Sequence, residues 1–223
     1  MVSQSVPVLV DRELSREKLL RELELWRANA MHRERGWILL DVDEDALAIE
    51  LAFLAQISTT VGSGALPIVA CAIRLTYENY DLWPPSLTFI SAFTRQPIRP
   101  HVRAFQVSPQ GARDVRDVLI DSHPETNNPF LCLAGIREYH SHPQHTGDSW
   151  LLHRHLGEGS ITTICDRVWR YMANTVIGVG VQMQALPVWP LRAQISIVLT
   201  QGELQQPDPK QPPTLVIYQT AQR

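Results

Sequence analysis

Three apolar-rich segments near the start of the chain limit its fold more than any other feature. They cover residues 37–42, 46–57 and 67–77. An acidic turn at residues 43–45 separates the first two, and a glycine-containing break at residues 62–64 precedes the third. Short apolar runs bounded by turn residues are typical of β-strands. The pattern therefore predicts a meander of three strands.

Two amphipathic helices are predicted, one on each side of this meander in the chain. The first covers residues 15–35, where apolar residues recur at helical spacing, namely Leu19, Leu23, Trp26 and Ala30. The second covers residues 161–175 and has the same periodicity. Ser15 and Ser160 are the candidate N-terminal caps of these helices.

Prolines and turn residues divide the rest of the chain. Two adjacent prolines in residues 77–85 exclude both a helix and a central strand, and they predict a stiff aromatic loop before a short strand at residues 86–90. Residues 91–128 have no sustained period and are assigned as loop, within which residues 114–120 form either a helical turn or a short strand. Further strands are predicted at residues 176–183, 193–200 and 214–220. The fold class is therefore α+β.

Composition limits the setting in which such a chain works. Its 223 residues, 44% of them hydrophobic, are enough for the core of one domain. A net charge of −3 gives no basic field for nucleic acid. The cysteines at positions 71, 132 and 165 do not suggest a disulfide framework, which favours a reducing cytoplasm. We expect no membrane partner, because no secretory signal and no apolar run of roughly 20 residues is present.

Histidines concentrate between residues 123 and 155, where six of the eight lie. If residues 138–142 are extended, alternate side chains share one face, and Pro143 then forces a turn that can bring the chain back to the same point. One short strand upstream lies a cysteine whose thiolate could also bind a metal. The candidate metal ligands are Cys132, Glu138, His140, His142 and His145.

This donor set suggests zinc, because thiolate and imidazole ligands suit zinc better than magnesium or calcium. Five candidates exceed the four ligands of a closed zinc site, so Glu138 or Asp148 could instead accept the ring proton of a ligating histidine. Three ligands with Glu138 as general base would give a hydrolytic site. Four ligands including Cys132 would give a structural site. A polar loop that binds no metal is the remaining alternative.

The order of these features resembles that of the ubiquitin-conjugating (E2) fold over residues 15–175. In that family a helix and an antiparallel meander precede a Tyr-Pro-x-x-Pro-Pro loop, a His-Pro-Asn element, the catalytic cysteine, and a tryptophan followed by a helix. The similar positions here are residues 80–85, His123-Pro124, Cys132 and Trp150. The resemblance implies an E2-like metal-binding domain at residues 1–175 and a β-rich extension at residues 176–223 packed on it. Glu125 stands where the asparagine is expected.

The run from Cys132 to Trp150 also resembles a predicted metal-binding family of bacteria that is named for its Cys, Glu, His and His residues. Members are associated with operons that encode E1-like, E2-like and JAB-type components. The resemblance implies a zinc-binding E2-like component of a bacterial ubiquitin-like pathway, with a role in antiphage defence and with a ubiquitin-like protein and E1-like and JAB-type proteins as partners. The alternatives are an active conjugating enzyme with Cys132 as thioester nucleophile, a metal hydrolase with Glu138 as base, and an interaction module without metal.

Overall fold

The computed structural model describes residues 7–58, 65–107, 115–186, 192–204 and 215–218. The helices in these ranges are α1 (Arg12–Ala28), α2 (Met31–Glu34), α3 (Arg137–Ser141), α4 (Trp150–His153) and α5 (Ile161–Tyr171). The short 3-10 helices are Pro143–His145, Arg154–Leu156 and Ala173–Thr175. The predicted break at residues 62–64, and residues 114, 214, 219 and 220 of the predicted strands, lie outside the described residues.

The strands of the described chain form one larger sheet and three smaller ones. They are β1 (Trp37–Asp43), β2 (Ala48–Ser58), β3 (Ala65–Thr76), β4 (Ser86–Phe89), β5 (Phe105–Val107), β6 (Val115–Asp117), β7 (Leu119–Ile120), β8 (Phe130–Leu131), β9 (Val176–Leu186), β10 (Arg192–Leu204) and β11 (Leu215–Tyr218). The largest sheet has the antiparallel order β1-β2-β3-β4. This confirms the predicted meander, the short strand after the aromatic loop, and the α+β class.

The two faces of the meander are buried in different ways. On β2, Ile49, Leu51 and Phe53 are fully buried in the main core, which they share with residues of α1 and α5. Ala52, on the opposite face, belongs to a smaller apolar cluster with Ala72 and Ile90. Each fully buried aliphatic or aromatic side chain of the main core stabilises the fold by about 1.5–3 kcal/mol relative to its exposed state.

The first helix differs from its prediction at both ends. Its N-terminal cap is Asp11, whose side chain accepts hydrogen bonds from the backbone N–H groups of Glu13 and Leu14. Ser15 is instead buried inside the helix. The helix ends at Ala28, because Asn29 takes an extended conformation with ψ 123°, and α2 follows as a separate short helix. The prediction of one helix over residues 15–35 is therefore wrong in its limits, although its apolar stripe is correct.

The second helix begins as predicted. The Ser160 side chain accepts a hydrogen bond from the Thr163 N–H at 3.2 Å, and the buried face of α5 includes Ile164 and Val168. The helix ends at Tyr171, and a 3-10 turn occupies the last three residues of the predicted range.

The predicted C-terminal strands are present as an antiparallel sheet of order β11-β10-β9. Buried Gln201 of β10 links this sheet to the preceding part of the chain. Its amide donates to the Arg103 carbonyl and to the Thr175 hydroxyl, and its oxygen accepts from the Arg103 N–H, each at 2.8 Å. Among the helices of the described residues, none is long and apolar enough to cross a membrane.

The assignment of residues 91–128 as loop is wrong in part, and of the two alternatives predicted for residues 114–120 the structure shows strand, as β6 and β7. Strands β5 and β6 form an antiparallel pair in this region, and β7 pairs with β8 just before Cys132. These strands have only two or three residues each, which is too short for a period to be recognised in the sequence. Their pairing places the start of the histidine-rich segment, residues 123–155, against the rest of the molecule.

Candidate functional site

Residues 137–141 form helix α3, so the predicted extended conformation of residues 138–142 is wrong. Residue 136 caps this helix in an extended conformation, and His142 ends it. Residues two apart in a helix point in nearly opposite directions, because each residue turns the chain by about 100°. Glu138 and His140 therefore do not share the face on which the five-ligand set was based.

Glu138 connects α3 to the edge of the meander. One carboxylate oxygen accepts a hydrogen bond from the Ser86 hydroxyl, and the other accepts from the Leu87 N–H at 3.1 Å. Burial raises the pKa of this carboxyl group above its ordinary value. Both oxygens are thus engaged by β4, and Glu138 supports the loop that follows instead of contacting Cys132.

The ring of His140 links the chain before α3 to the chain after it, because both ring nitrogens lie close to backbone carbonyl oxygens. Nδ1 lies 2.8 Å from the carbonyl oxygen of Asp148, and Nε2 lies 2.6 Å from the carbonyl oxygen of Ala134. Donation to both oxygens requires the protonated ring, in which neither nitrogen has a lone pair available for a metal. His140 therefore holds two chain segments together, with the segment after Cys132 on one side.

His123 is buried beneath this loop and is only 1% exposed. Its Nδ1 accepts from the Glu125 N–H at 3.2 Å, and its Nε2 lies 3.1 Å from the Glu138 carbonyl oxygen. The His123-Pro124 element thus forms a turn that fixes the position of α3. Asn127 has a φ of 57°, and its backbone N–H donates to the His123 carbonyl oxygen within this turn.

Cys132 and His145 are two predicted site residues whose side chains the structure brings into contact. Cys132 follows β8, is half-buried, and donates its backbone N–H to the Val118 carbonyl. Its Sγ lies 3.5 Å from Nε2 of His145. The turn predicted at Pro143 is present as a 3-10 helix, and this turn is what brings His145 back to the cysteine.

The environment of this pair favours a neutral thiol beside a neutral imidazole. Burial raises the pKa of the Cys132 thiol. Burial, and to a smaller extent the neighbouring His142, lowers the pKa of His145. An unprotonated imidazole nitrogen can accept the thiol proton, so the arrangement can generate a thiolate at the moment of reaction.

His142 lies next to the pair without touching the sulfur. Its ring centroid is 5.7 Å from that of His145 and 5.4 Å from that of Phe130. Its Nδ1 accepts from the Gln144 N–H at 3.3 Å and so caps the turn. This leaves Nε2 as the ring nitrogen through which His142 could bind a metal.

Of the five predicted ligands, the structure brings Cys132 and His145 into contact, places His142 beside them, and engages Glu138 and His140 elsewhere. The 3.5 Å contact between Cys132 Sγ and His145 Nε2 does suit a shared zinc ion. Zn–S and Zn–N bonds of about 2.3 Å and 2.0 Å at a tetrahedral angle separate the two donors by about 3.5 Å. However, within the described ranges no three histidine, cysteine, aspartate or glutamate side chains are arranged to hold a metal ion. The spacing of Cys132 and His145 suits zinc, and His142 is nearby. Glu138 and His140 are engaged by other hydrogen-bonding groups.

The sequence did not predict the roles of Tyr139 and Asp148 at this site. The Tyr139 ring stacks on the His145 ring, with centroids 3.9 Å apart and planes at 20°. The Tyr139 hydroxyl donates to Asp148 at 2.8 Å, and His153 Nε2 donates to the other oxygen of Asp148 at 2.6 Å. Asp148 was one of two carboxylates, with Glu138, that could accept the ring proton of a ligating histidine. A tyrosine between two polar residues gives no sequence signal that separates this role from ordinary packing.

The fold and the site define an α+β protein with a half-buried cysteine that contacts an imidazole. This cysteine follows β8, and the imidazole belongs to the histidine-rich turn at residues 142–145. The sequence model of the Y4jH-like family matches residues 10–109 and 104–176. The chain is also 35% identical over 180 residues to the uncharacterized protein y4jH of Sinorhizobium fredii, an alignment that covers 73% of this chain and 83% of that protein. The chain belongs to the Y4jH-like family.

Proposed function

We propose that this chain is an E2-like component of a bacterial ubiquitin-like conjugation pathway and that Cys132 carries the modifier as a thioester. The observation that carries the proposal is the contact between a half-buried thiol and an imidazole nitrogen at 3.5 Å. A bacterial ubiquitin-like protein, an E1-like protein and a JAB-type protein would be its partners, with antiphage defence as the setting.

The order of elements also supports the proposal. Helix α1 and the antiparallel meander precede the aromatic loop at residues 77–85, and the His123-Pro124 turn precedes Cys132. Trp150 then leads into the segment before α5, and its indole N–H donates to the Asp81 carbonyl at 2.8 Å. This contact joins the aromatic loop to the segment after the cysteine. The same parts occur in the same order in the E2 plan.

The residues at the site suggest how the transfer would proceed. Cys132 Sγ attacks the carbonyl carbon of the E1-bound thioester, and the bond between that carbon and the E1 sulfur breaks. The thiol proton passes to Nε2 of His145 and from there to the departing thiolate. The raised pKa of the thiol makes this assistance necessary, because the free thiolate is scarce near neutral pH.

Replacement of Cys132 by alanine is expected to abolish an adduct between this chain and the ubiquitin-like protein. The reaction would contain the E1-like protein, the modifier and ATP, and the adduct would be read on non-reducing gels as a band that a thiol reductant removes. His145→Ala should lower the initial rate of adduct formation about tenfold or more, since a positioned base typically supplies at least that factor.

The matched controls are Cys71→Ala and Cys165→Ala, which remove the two cysteines buried in the core. Both variants should form the adduct at the wild-type rate. A reductant-sensitive adduct that persists in Cys132→Ala, or that forms in His145→Ala as fast as in the wild type, would contradict the proposed roles.

A second candidate is a zinc-binding E2-like protein in which Cys132 and His145 are metal ligands and His142 supplies a third donor. The donor distance of 3.5 Å favours this candidate as well. When bound, the zinc would hold the thiolate and so prevent thioester formation. A hydrolase with Glu138 as general base is not proposed, because both carboxylate oxygens accept hydrogen bonds from β4.

Metal analysis separates these two candidates. If these side chains bind zinc, protein purified without chelator should contain about one equivalent of zinc, and Cys132→Ala should lose it. His140→Gln is the matched comparison, because both ring nitrogens of His140 face carbonyl oxygens, and this variant should keep the metal. Zinc that is absent from the wild type, or retained by Cys132→Ala, would exclude the second candidate.

A further inference from the structure

His145 contacts a tyrosine as well as Cys132, and this tyrosine is itself part of a hydrogen-bond network. Tyr139 lies on α3, its ring stacks on His145, and its hydroxyl donates to Asp148 at 2.8 Å. Asp148 also accepts from His153 of α4 at 2.6 Å. The tyrosine ring is thus held from both helices that flank the histidine-rich turn.

We propose that Tyr139 is a positioning residue that holds the His145 ring against Cys132 and that Asp148 holds Tyr139 in place. The inference rests on the proposed function, since it assigns how the base of that site is oriented. It adds two residues that neither resemblance names as part of a thioester mechanism.

The geometry explains why an aromatic ring is needed at position 139. His145 belongs to a 3-10 turn of three residues, and its side chain is only half-buried. An imidazole in such a turn has several accessible rotamers, of which only some direct Nε2 at the sulfur. A ring stacked at 3.9 Å limits rotation of the imidazole, and it does so without using a ring nitrogen.

The hydroxyl of Tyr139 has a separate part in this arrangement. It donates a hydrogen bond to the carboxylate of Asp148. The pKa of this carboxylate is lowered mainly by the hydrogen bond from His153 and, to a smaller extent, by the hydrogen bond from Tyr139. A hydrogen bond to a charged acceptor is stronger than one between neutral groups. The anionic Asp148 therefore anchors the tyrosine ring between α3 and α4.

The test is the rate at which iodoacetamide alkylates Cys132 in the intact chain, followed by mass spectrometry of the cysteine-containing peptide. Tyr139→Leu should slow alkylation about tenfold, approaching the rate of His145→Ala, because the base is no longer held at the sulfur. Tyr139→Phe keeps the stacked ring and should recover the rate to within about threefold of the wild type, because the ring, not the hydroxyl, contacts the imidazole directly.

Tyr171→Leu is the matched control, since Tyr171 is a half-buried tyrosine at the end of α5 that packs on the same core and does not stack on His145. It should leave the alkylation rate unchanged. Wild-type alkylation in Tyr139→Leu would overturn the inference, and so would equal slowing in the leucine and phenylalanine variants. If His145→Ala itself does not slow alkylation, the proposed base fails, whereas slowing in His145→Ala alone rejects only the role of Tyr139.

Discussion

Gly135→Ala is expected to destabilise the protein by about 3 kcal/mol or more, as extra atoms in a closely packed site do when the backbone itself must move. A Cβ atom on Gly135 would lie 2.1 Å from the Glu158 carbonyl oxygen and 2.8 Å from its carbonyl carbon. Neither atom belongs to a flexible side chain. The loop after Cys132 and the loop before α5 would therefore have to separate, which would lower both stability and the reactivity of Cys132.

Gly147→Ala is the matched control for this substitution. A Cβ atom there meets no heavy atom within 4 Å, and Gly147 lies in the same histidine-rich segment. Chemical denaturation should give the Gly147 variant a free energy of unfolding close to the wild-type value, and alkylation of Cys132 should be unchanged. Equal stability of the two variants would show that the close approach of Gly135 to Glu158 is not required for the fold.

Glu138→Ala is expected to cost about 2 kcal/mol or more, because it leaves the Ser86 hydroxyl and the Leu87 N–H without their acceptor. The zinc content and the alkylation rate of Cys132 should respond only through this loss of stability. Glu138→Gln keeps the size of the side chain and one acceptor oxygen, so it should be less harmful. A specific loss of bound zinc in Glu138→Gln, without destabilisation, would restore Glu138 as a metal ligand.

The pH dependence of stability provides a second measurement on Glu138. Burial raises the pKa of this carboxyl group in the folded protein, so the folded state retains a proton that the unfolded state releases. As the pH rises above the ordinary glutamate pKa, of about 4.3, this group makes the folded state progressively less stable until the folded pKa is passed. Glu138→Gln removes the effect. Its free energy of unfolding, relative to the wild type, should therefore increase from pH 4 to pH 8.

Patterns within single segments identified most of the scaffold. The meander was predictable because its strands are long apolar runs, and α5 was predictable because its apolar period and its serine cap lie in the same short segment. The end of α1 at Ala28 was not predictable from its apolar stripe, since Asn29 departs from helical backbone geometry while the stripe continues to Ala30. The pairing of β7 with β8 was also hidden, because two residues carry no period.

The sequence by itself determined the identity of the reactive groups: a cysteine, a cluster of histidines, and a proline that turns the chain between them. Only the tertiary structure decided which of these groups meet. Residues 138–142 were considered extended, whereas in the structure residues 137–141 form a helix whose Glu138 is hydrogen-bonded to β4. This helix turns Glu138 and His140 into supports for the loop. It leaves Cys132 and His145 in contact, because the Val118 carbonyl holds the Cys132 backbone and the Tyr139 ring stacks on His145, and no local sequence pattern records either interaction.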